Sequence, residues 1–201
     1  MVNKYLFILL ISYLLFDFIP AVKAQDTLKN NRSYYRFTIT GGFGNGYSQE
    51  TNDIGIGFGL EFETQRKQHL FNIGIHQLEQ FEILGISIPN LSVISFDVMY
   101  GKILSDKKLY SSINIGIGYL QKISHGELIS YDHGIFGNEY YQKIKEYRFG
   151  IPISLKFFGV PKSYFGMGVN FYANINKHSF YIITSGFQFG KLRDKKIKIV
   201  N

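Results

Sequence analysis

Residues 53–63 read DIGIGFGLEFE and alternate without a break, with Ile54, Ile56, Phe58, Leu60 and Phe62 separated at every position by glycine or an acidic residue. A helix would scatter these apolar side chains around its circumference and would carry three interior glycines, each costing ~1 kcal/mol relative to alanine. An extended strand sorts them into one bulky apolar face and one small or charged face. The stretch is therefore a strand whose two faces meet different surroundings. Which face is the inside decides between a barrel soluble in water and one soluble in lipid.

The pattern recurs. Similar alternation occupies 34–44, 69–77, 93–101, 110–119, 147–158, 164–175 and 179–190, which makes eight strand segments in all. With 15 Tyr, 19 Phe and 21 Gly against only 4 Pro, the chain is also composed for strands and turns rather than helices. Tight polar turns follow the second, fourth and sixth segments: TQRKQ at 64–68, SDKK at 105–108 and VPKS at 160–163. Longer stretches follow the first, third and fifth, the longest a loop from about 121 to 146, and only NKH at 176–178 departs from the rule. Short turns at one end and long loops at the other characterise an up-and-down barrel of the bacterial outer membrane, with the short end in the periplasm. The expected fold is all-β: an eight-stranded antiparallel up-and-down transmembrane β-barrel.

The glycines orient it. Phe37, Ile39, Phe71, Ile73, Phe96, Val98, Ile151, Ile153, Val169 and Phe171 share the bulky face of their strands. The opposite face carries Gly42, Gly59, Gly74, Gly116, Gly118, Gly166 and Gly168, mixed with Arg36, Glu61, Asp97, Asn114, Lys156 and Asn170. Small residues are useful inside an eight-stranded barrel, whose interior is barely wide enough for side chains, and serve nothing on a surface facing water. The apolar face thus points outward into lipid, whereas a soluble lipocalin-like barrel would reverse the two. Aromatics fit two interfacial girdles, Tyr35, Tyr100, Tyr110, Phe157, Tyr164 and Phe189 at the turn end and Phe43, Tyr119, Tyr147 and Tyr181 at the loop end. Good strand formers would also place some aromatics at strand ends by chance.

The N-terminus reads as an export signal. Lys4 precedes the apolar run YLFILLISYLLF at 5–16, and VKA at 22–24 offers small residues for cleavage before Gln25. The alternative is a membrane anchor, for which a run of 12 residues is short of the ~20 a spanning helix needs. The domain plan is a signal peptide at 1–24, a short segment at 25–33, a barrel at 34–190 and a basic periplasmic tail at 191–201. The formal charge of +7 is spread along the chain, without the dense basic patch interleaved with aromatics that nucleic-acid binding calls for. The absence of cysteine excludes disulfides, thiolate metal sites and an acylated lipoprotein cysteine.

The signal segment together with GIGFGLEFETQRKQHLFNIGI, YRFGIPISLKFF, a tight turn and a glycine-aromatic hairpin resembles the small outer-membrane β-barrel proteins frequent in Bacteroidota, PorT-like barrels among them. The resemblance spans roughly residues 34–190 and carries no catalytic signature. It implies residence in the outer membrane, contact with outer-membrane lipid and partners among envelope or secretion proteins. The chain departs from the family at its end, where Phe187 and Phe189 are followed by KLRDKKIKIVN instead of closing on an aromatic.

Chemistry is sparse. His125 and His133, with Glu127 and Asp132, gather in one loop, but their spacing matches no ligand pattern and fits a solvated loop better than a metal site. Ser124, His125 and Glu127 contain the residue types of a hydrolytic triad without its arrangement. GGFGNG at 41–46 lacks the helix that a phosphate loop opens into. No catalytic, cofactor-binding or metal residues are assigned, and the expected role is structural or interactive, with a narrow conduit for small or apolar molecules, a component of an outer-membrane secretion apparatus and an outer-membrane enzyme as alternatives. One interior contact is expected. If the first hairpin turns symmetrically about Ser48 and Gln49, Arg36 faces Glu61 and reaches Glu63, the alternatives being a register slipped by two or solvation at the barrel mouth.

Overall fold

The alternating segments all become strands: β1 (Ser33–Tyr47), β2 (Asn52–Arg66), β3 (His69–Gln80), β4 (Leu91–Asp106), β5 (Leu109–Tyr131), β6 (Glu139–Lys162), β7 (Phe165–Ile175) and β8 (Phe180–Lys191). The computed structural model describes residues 33–47, 52–80, 91–106, 108–131 and 139–193. The signal peptide expected at 1–24, all but the last residue of the segment expected at 25–33, and the expected tail from residue 194 lie outside them. Each strand pairs antiparallel with the next, and β1 pairs with β8, so the sheet closes on itself.

Closure fixes the inside. On β2, Ile54, Ile56, Phe58, Leu60 and Phe62 all lie on the exposed exterior, while Gly55, Gly57, Gly59, Glu61 and Glu63 between them are buried. The same parity runs round the barrel, and apolar side chains such as Phe43, Ile73, Val98, Ile117 and Ile183 stand fully on the outside. Water would not tolerate a continuous apolar belt of this extent. The lipocalin orientation is thereby excluded. One girdle residue is misplaced by the sequence reading: Tyr110 is buried, because it shares parity with the lumen residues Ser112 and Asn114 and points in with them.

The connections keep their asymmetry in a reduced form. Two residues separate the strands at each of the three turns of one end (67–68, 107–108 and 163–164), against four, ten, seven and four residues at the other. The 176–179 connection, the apparent exception, is thus longer than any turn at the short end. The stretch expected to be a loop at 121–146 is mostly strand, since β5 continues to Tyr131 and β6 already begins at Glu139. Its outer part pairs only within its own hairpin: β4 leaves β5 at Ser124, and β7 leaves β6 at Ile151. With no lumen to face there, those residues need no alternation, and the periodic signal disappears while the ladder persists.

Glycine serves two purposes. A Cβ on Gly59 or Gly74 would press on the lumen side chains of Thr40, His76 and Glu61, the crowding expected of a narrow interior. Gly168 and Gly186, paired with each other on β7 and β8, are different. A Cβ on Gly186 would lie 2.0 Å from the Ile39 carbonyl oxygen, and one on Gly168 would lie 2.0 Å from that of Phe157. Both obstacles are backbone of the adjacent strand, so these glycines allow the close approach that lets the wall curve tightly. Gly186→Ala should therefore destabilise the barrel by about 1–3 kcal/mol, an overpacking effect with no flexible side chain to absorb it. Urea titration of the detergent-folded protein measures it, and an unchanged midpoint would contradict the close approach.

Candidate functional site

The lumen is built in three tiers. At the loop end Leu78, Val93, Leu120, Tyr172, Phe180 and Ile182 form a buried apolar cluster. At the turn end Leu70, Ile103, Tyr110, Phe158, Val160 and Leu192 form another. Leu192 belongs to the expected periplasmic tail but packs into this second cluster, and its amide donates to the Ser163 carbonyl at 2.8 Å. Next to it Arg193 Nη2 donates to the Pro161 carbonyl at 2.6 Å, so the start of the tail is part of the barrel floor.

Between the clusters lies a polar layer centred on Lys156. Its Nζ sits 2.5 Å from Glu61 Oε2 and 2.5 Å from Glu63 Oε1, with all three side chains essentially inaccessible. Asn72 donates to both glutamates, Asn170 Nδ2 donates to Glu61 Oε1 at 3.0 Å, and the Tyr110 hydroxyl donates to Glu63 Oε2 at 3.1 Å. A second centre adjoins the first. Asp97 Oδ2 accepts from the Tyr172 hydroxyl at 2.7 Å and lies 2.8 Å from His76 Nδ1, while its Oδ1 accepts from Ser95 at 2.6 Å. His76 stacks on Tyr172 with ring centroids 3.7 Å apart, and its Nε2 lies 3.4 Å from Glu61 Oε1, which joins the two centres. Buried charges persist only when paired and hydrogen-bonded; Glu61 and Glu63 have both, and Asp97 is hydrogen-bonded by Tyr172 and Ser95 beside His76.

The expected Arg36 pairing is not what the barrel forms. The first hairpin turns one residue later than assumed, Tyr47 pairs with Asn52, and Arg36 stands opposite Glu63 while Thr38 stands opposite Glu61. A slip of two preserves the faces, so Arg36 is in the lumen as expected. Yet it donates to Gln65 Oε1 and places its guanidinium carbon 4.2 Å from the centre of the Tyr110 ring, and the glutamates take their cation from Lys156 instead. Sheet register shows only neighbours along the wall. In so narrow a barrel, a lysine on β6 reaches across to β2 as readily as an arginine reaches sideways from β1. The two lumen carboxylates and Lys156 were each legible from strand parity, but their meeting was not.

At the loop-end rim Glu146 Oε2 accepts from Arg148 Nη2 at 3.1 Å and lies 2.9 Å from His178 Nε2. The hydrogen bond from Arg148 holds the Glu146 carboxyl below its ordinary range. Burial, reinforced by the nearby Lys122, pushes His178 below the usual histidine value despite the pull of Glu146. Of the residues considered for metal or hydrolytic chemistry, Ser124 and Glu127 lie on the outer part of β5, Glu127 exposed, and the His125 backbone belongs to the same strand. Asp132 and His133 lie outside the described residues.

No protein-family model matches the chain, and no curated protein matches it. Solved structures do. Neisserial surface protein A aligns with a TM-score of 0.59 at 6% identity, over 77% of this chain and 96% of its own. Ail, the attachment invasion locus protein of Yersinia pestis, aligns with a TM-score of 0.52 at 9% identity, over 79% of this chain and 99% of its own. At such identities the likeness concerns the course of the backbone alone. With its closed eight-stranded sheet, apolar exterior and short-turn, long-loop asymmetry, the chain has the fold of the small outer-membrane β-barrels.

Proposed function

We propose that this chain is a non-enzymatic integral protein of the outer membrane, acting structurally or as an interaction partner through what it presents beyond the bilayer. The observation that carries this reading is the lumen, closed by two apolar clusters with the Lys156, Glu61 and Glu63 lock between them. A narrow conduit would have to displace a buried ion triad and an apolar plug at each end, a barrier of many kcal/mol against the permeant. The surface left for recognition is the extended β5–β6 hairpin, where Leu128, Ile129 and Ile144 are exposed. The signal segment and the glycine-aromatic motifs support a place among PorT-like barrels typical of Bacteroidota, and with it envelope or secretion proteins as partners alongside outer-membrane lipid.

Planar-bilayer recording tests the sealed lumen. Purified protein inserted at neutral pH should give no steady single-channel current, and a reproducible open state would overturn the reading in favour of the conduit.

A further inference from the structure

The barrel wall has a step at its loop end. β7 stops at Ile175, opposite Ile151, whereas β6 continues outward to Glu139 with only β5 beside it. The notch so formed is lined by Ile117, Phe149, Ile151 and Ile175 below and by Arg148 and Lys177 above. Phe149 is 73% exposed, the highest value among the large apolar side chains of the barrel. Tyr119, Tyr147 and Tyr181 stand exposed around the same end, as aromatics of an interfacial girdle do.

The polar groups of the notch are unequally engaged. Asn176 is consumed by its turn, donating to Asn174 Oδ1 at 2.8 Å and accepting from the His178 amide at 2.6 Å. Arg148 gives Nη2 to Glu146, while its Nε is buried with no hydrogen-bond partner among the described residues. Lys177 forms no ion pair among the described residues. The nearby carboxylate, Glu146, is already shared with His178 and stands across the strand pair from Lys122. Arg148 and Lys177, which line the notch, thus outnumber Glu146, and the surplus positive charge adjoins an apolar floor. An acyl chain with a negative headgroup has the complementary arrangement.

Resting on the reading of the chain as a membrane protein, we propose that this notch binds one phosphate-bearing lipid of the outer leaflet. Its phosphate lies between Arg148 and Lys177, and an acyl chain runs along Phe149, Ile151 and Ile175. The exposed end of the Arg148 guanidinium offers donors for the phosphate oxygens, and Lys177 supplies a point charge from the exposed turn.

Native mass spectrometry of the detergent-folded barrel, given phosphatidic acid and phosphatidylcholine in equal amounts, tests this. One retained phosphatidic acid per barrel is expected, in clear excess over phosphatidylcholine. Lys177→Gln, a change in an exposed turn that leaves the wall intact, should lower that excess about fivefold, and Arg148→Gln by a similar factor. Lys162→Gln at the opposite end should leave it unchanged. Equal retention of the two lipids, an unaltered excess in Lys177→Gln, or displacement of the lipid by millimolar inorganic phosphate would each overturn the proposal, the last by making the notch a site for free anions. Failure of the wild-type barrel to insert into bilayers would instead overturn the membrane reading on which it rests.

Discussion

Lys156→Met should destabilise the folded barrel by about 3–5 kcal/mol, the effect of removing one partner from a buried ion network. Methionine fills most of the lysine's volume, so packing changes little and the effect isolates the charge. Without the ammonium, Glu61 and Glu63 keep their hydrogen bonds from Asn72, Asn170 and Tyr110 but face each other as two buried negative charges. Urea unfolding, followed by the shift in mobility between folded and unfolded bands on unheated gels, suits a chain without tryptophan. Adding Glu61→Gln and Glu63→Gln to the same variant should recover most of the loss, because neutral amides need no cation. Arg36→Met is the comparison. Its guanidinium serves Gln65 and the Tyr110 ring and forms no ion pair with either carboxylate, so its loss should be distinctly smaller. If Arg36→Met proves the more damaging of the two, the assignment of the central cation to Lys156 is wrong.

Phe171→Arg should cost about 2–4 kcal/mol in a lipid bilayer. The residue lies in the middle of β7, pairs with Leu155 and Ile183 and points outward next to the inward Asn170. Its ring contacts Phe157 edge-on with centroids 6.4 Å apart, so part of the loss is packing. Phe171→Leu removes the ring but keeps the apolar contact, and should fall well short of the arginine. Ile56→Arg on β2 tests the same belt at another strand of the barrel. Folding yields into vesicles of defined thickness report both, and an arginine tolerated at Phe171 as well as leucine would mean that this face meets water.

Strand count, faces and orientation were legible because a barrel in lipid imposes one repeated demand on every strand. DIGIGFGLEFE states that demand plainly, and the seven other segments repeat it. What escaped reading are features on which that demand has no hold. The outer hairpin at 125–131 and 139–146 leaves the lumen behind, so its strands carry no alternation to read. The turn of the first hairpin had two registers of equal parity available, and parity alone could not separate Glu61 from Glu63 as the residue opposite Arg36. Tyr110 was assigned by its position near a strand end when the parity of Ser112 and Asn114 already pointed it inward. The meeting of Lys156 with Glu61 and Glu63 depends on barrel width, a property of the closed sheet that no single hairpin contains. The notch at Arg148 and Lys177 arises from β6 outlasting β7, a difference in strand length that the sequence hides among polar residues.

The lumen lock also divides the chain by time of arrival. Its three acidic members, Glu61, Glu63 and Asp97, lie on β2 and β4 with Asn72 and His76 beside them on β3, while Tyr110, Lys156, Asn170 and Tyr172, which complete their shell, lie on β5, β6 and β7. A nascent sheet of the first four strands would therefore hold acids with no lysine to neutralise them and no reason to leave water. Desolvation must wait until the second half curls round and β8 finds β1. The interior so arranged makes entry into the bilayer a concerted act of the whole chain rather than a succession of hairpins, and a truncated barrel has a hydrated, charged heart that lipid will not accept.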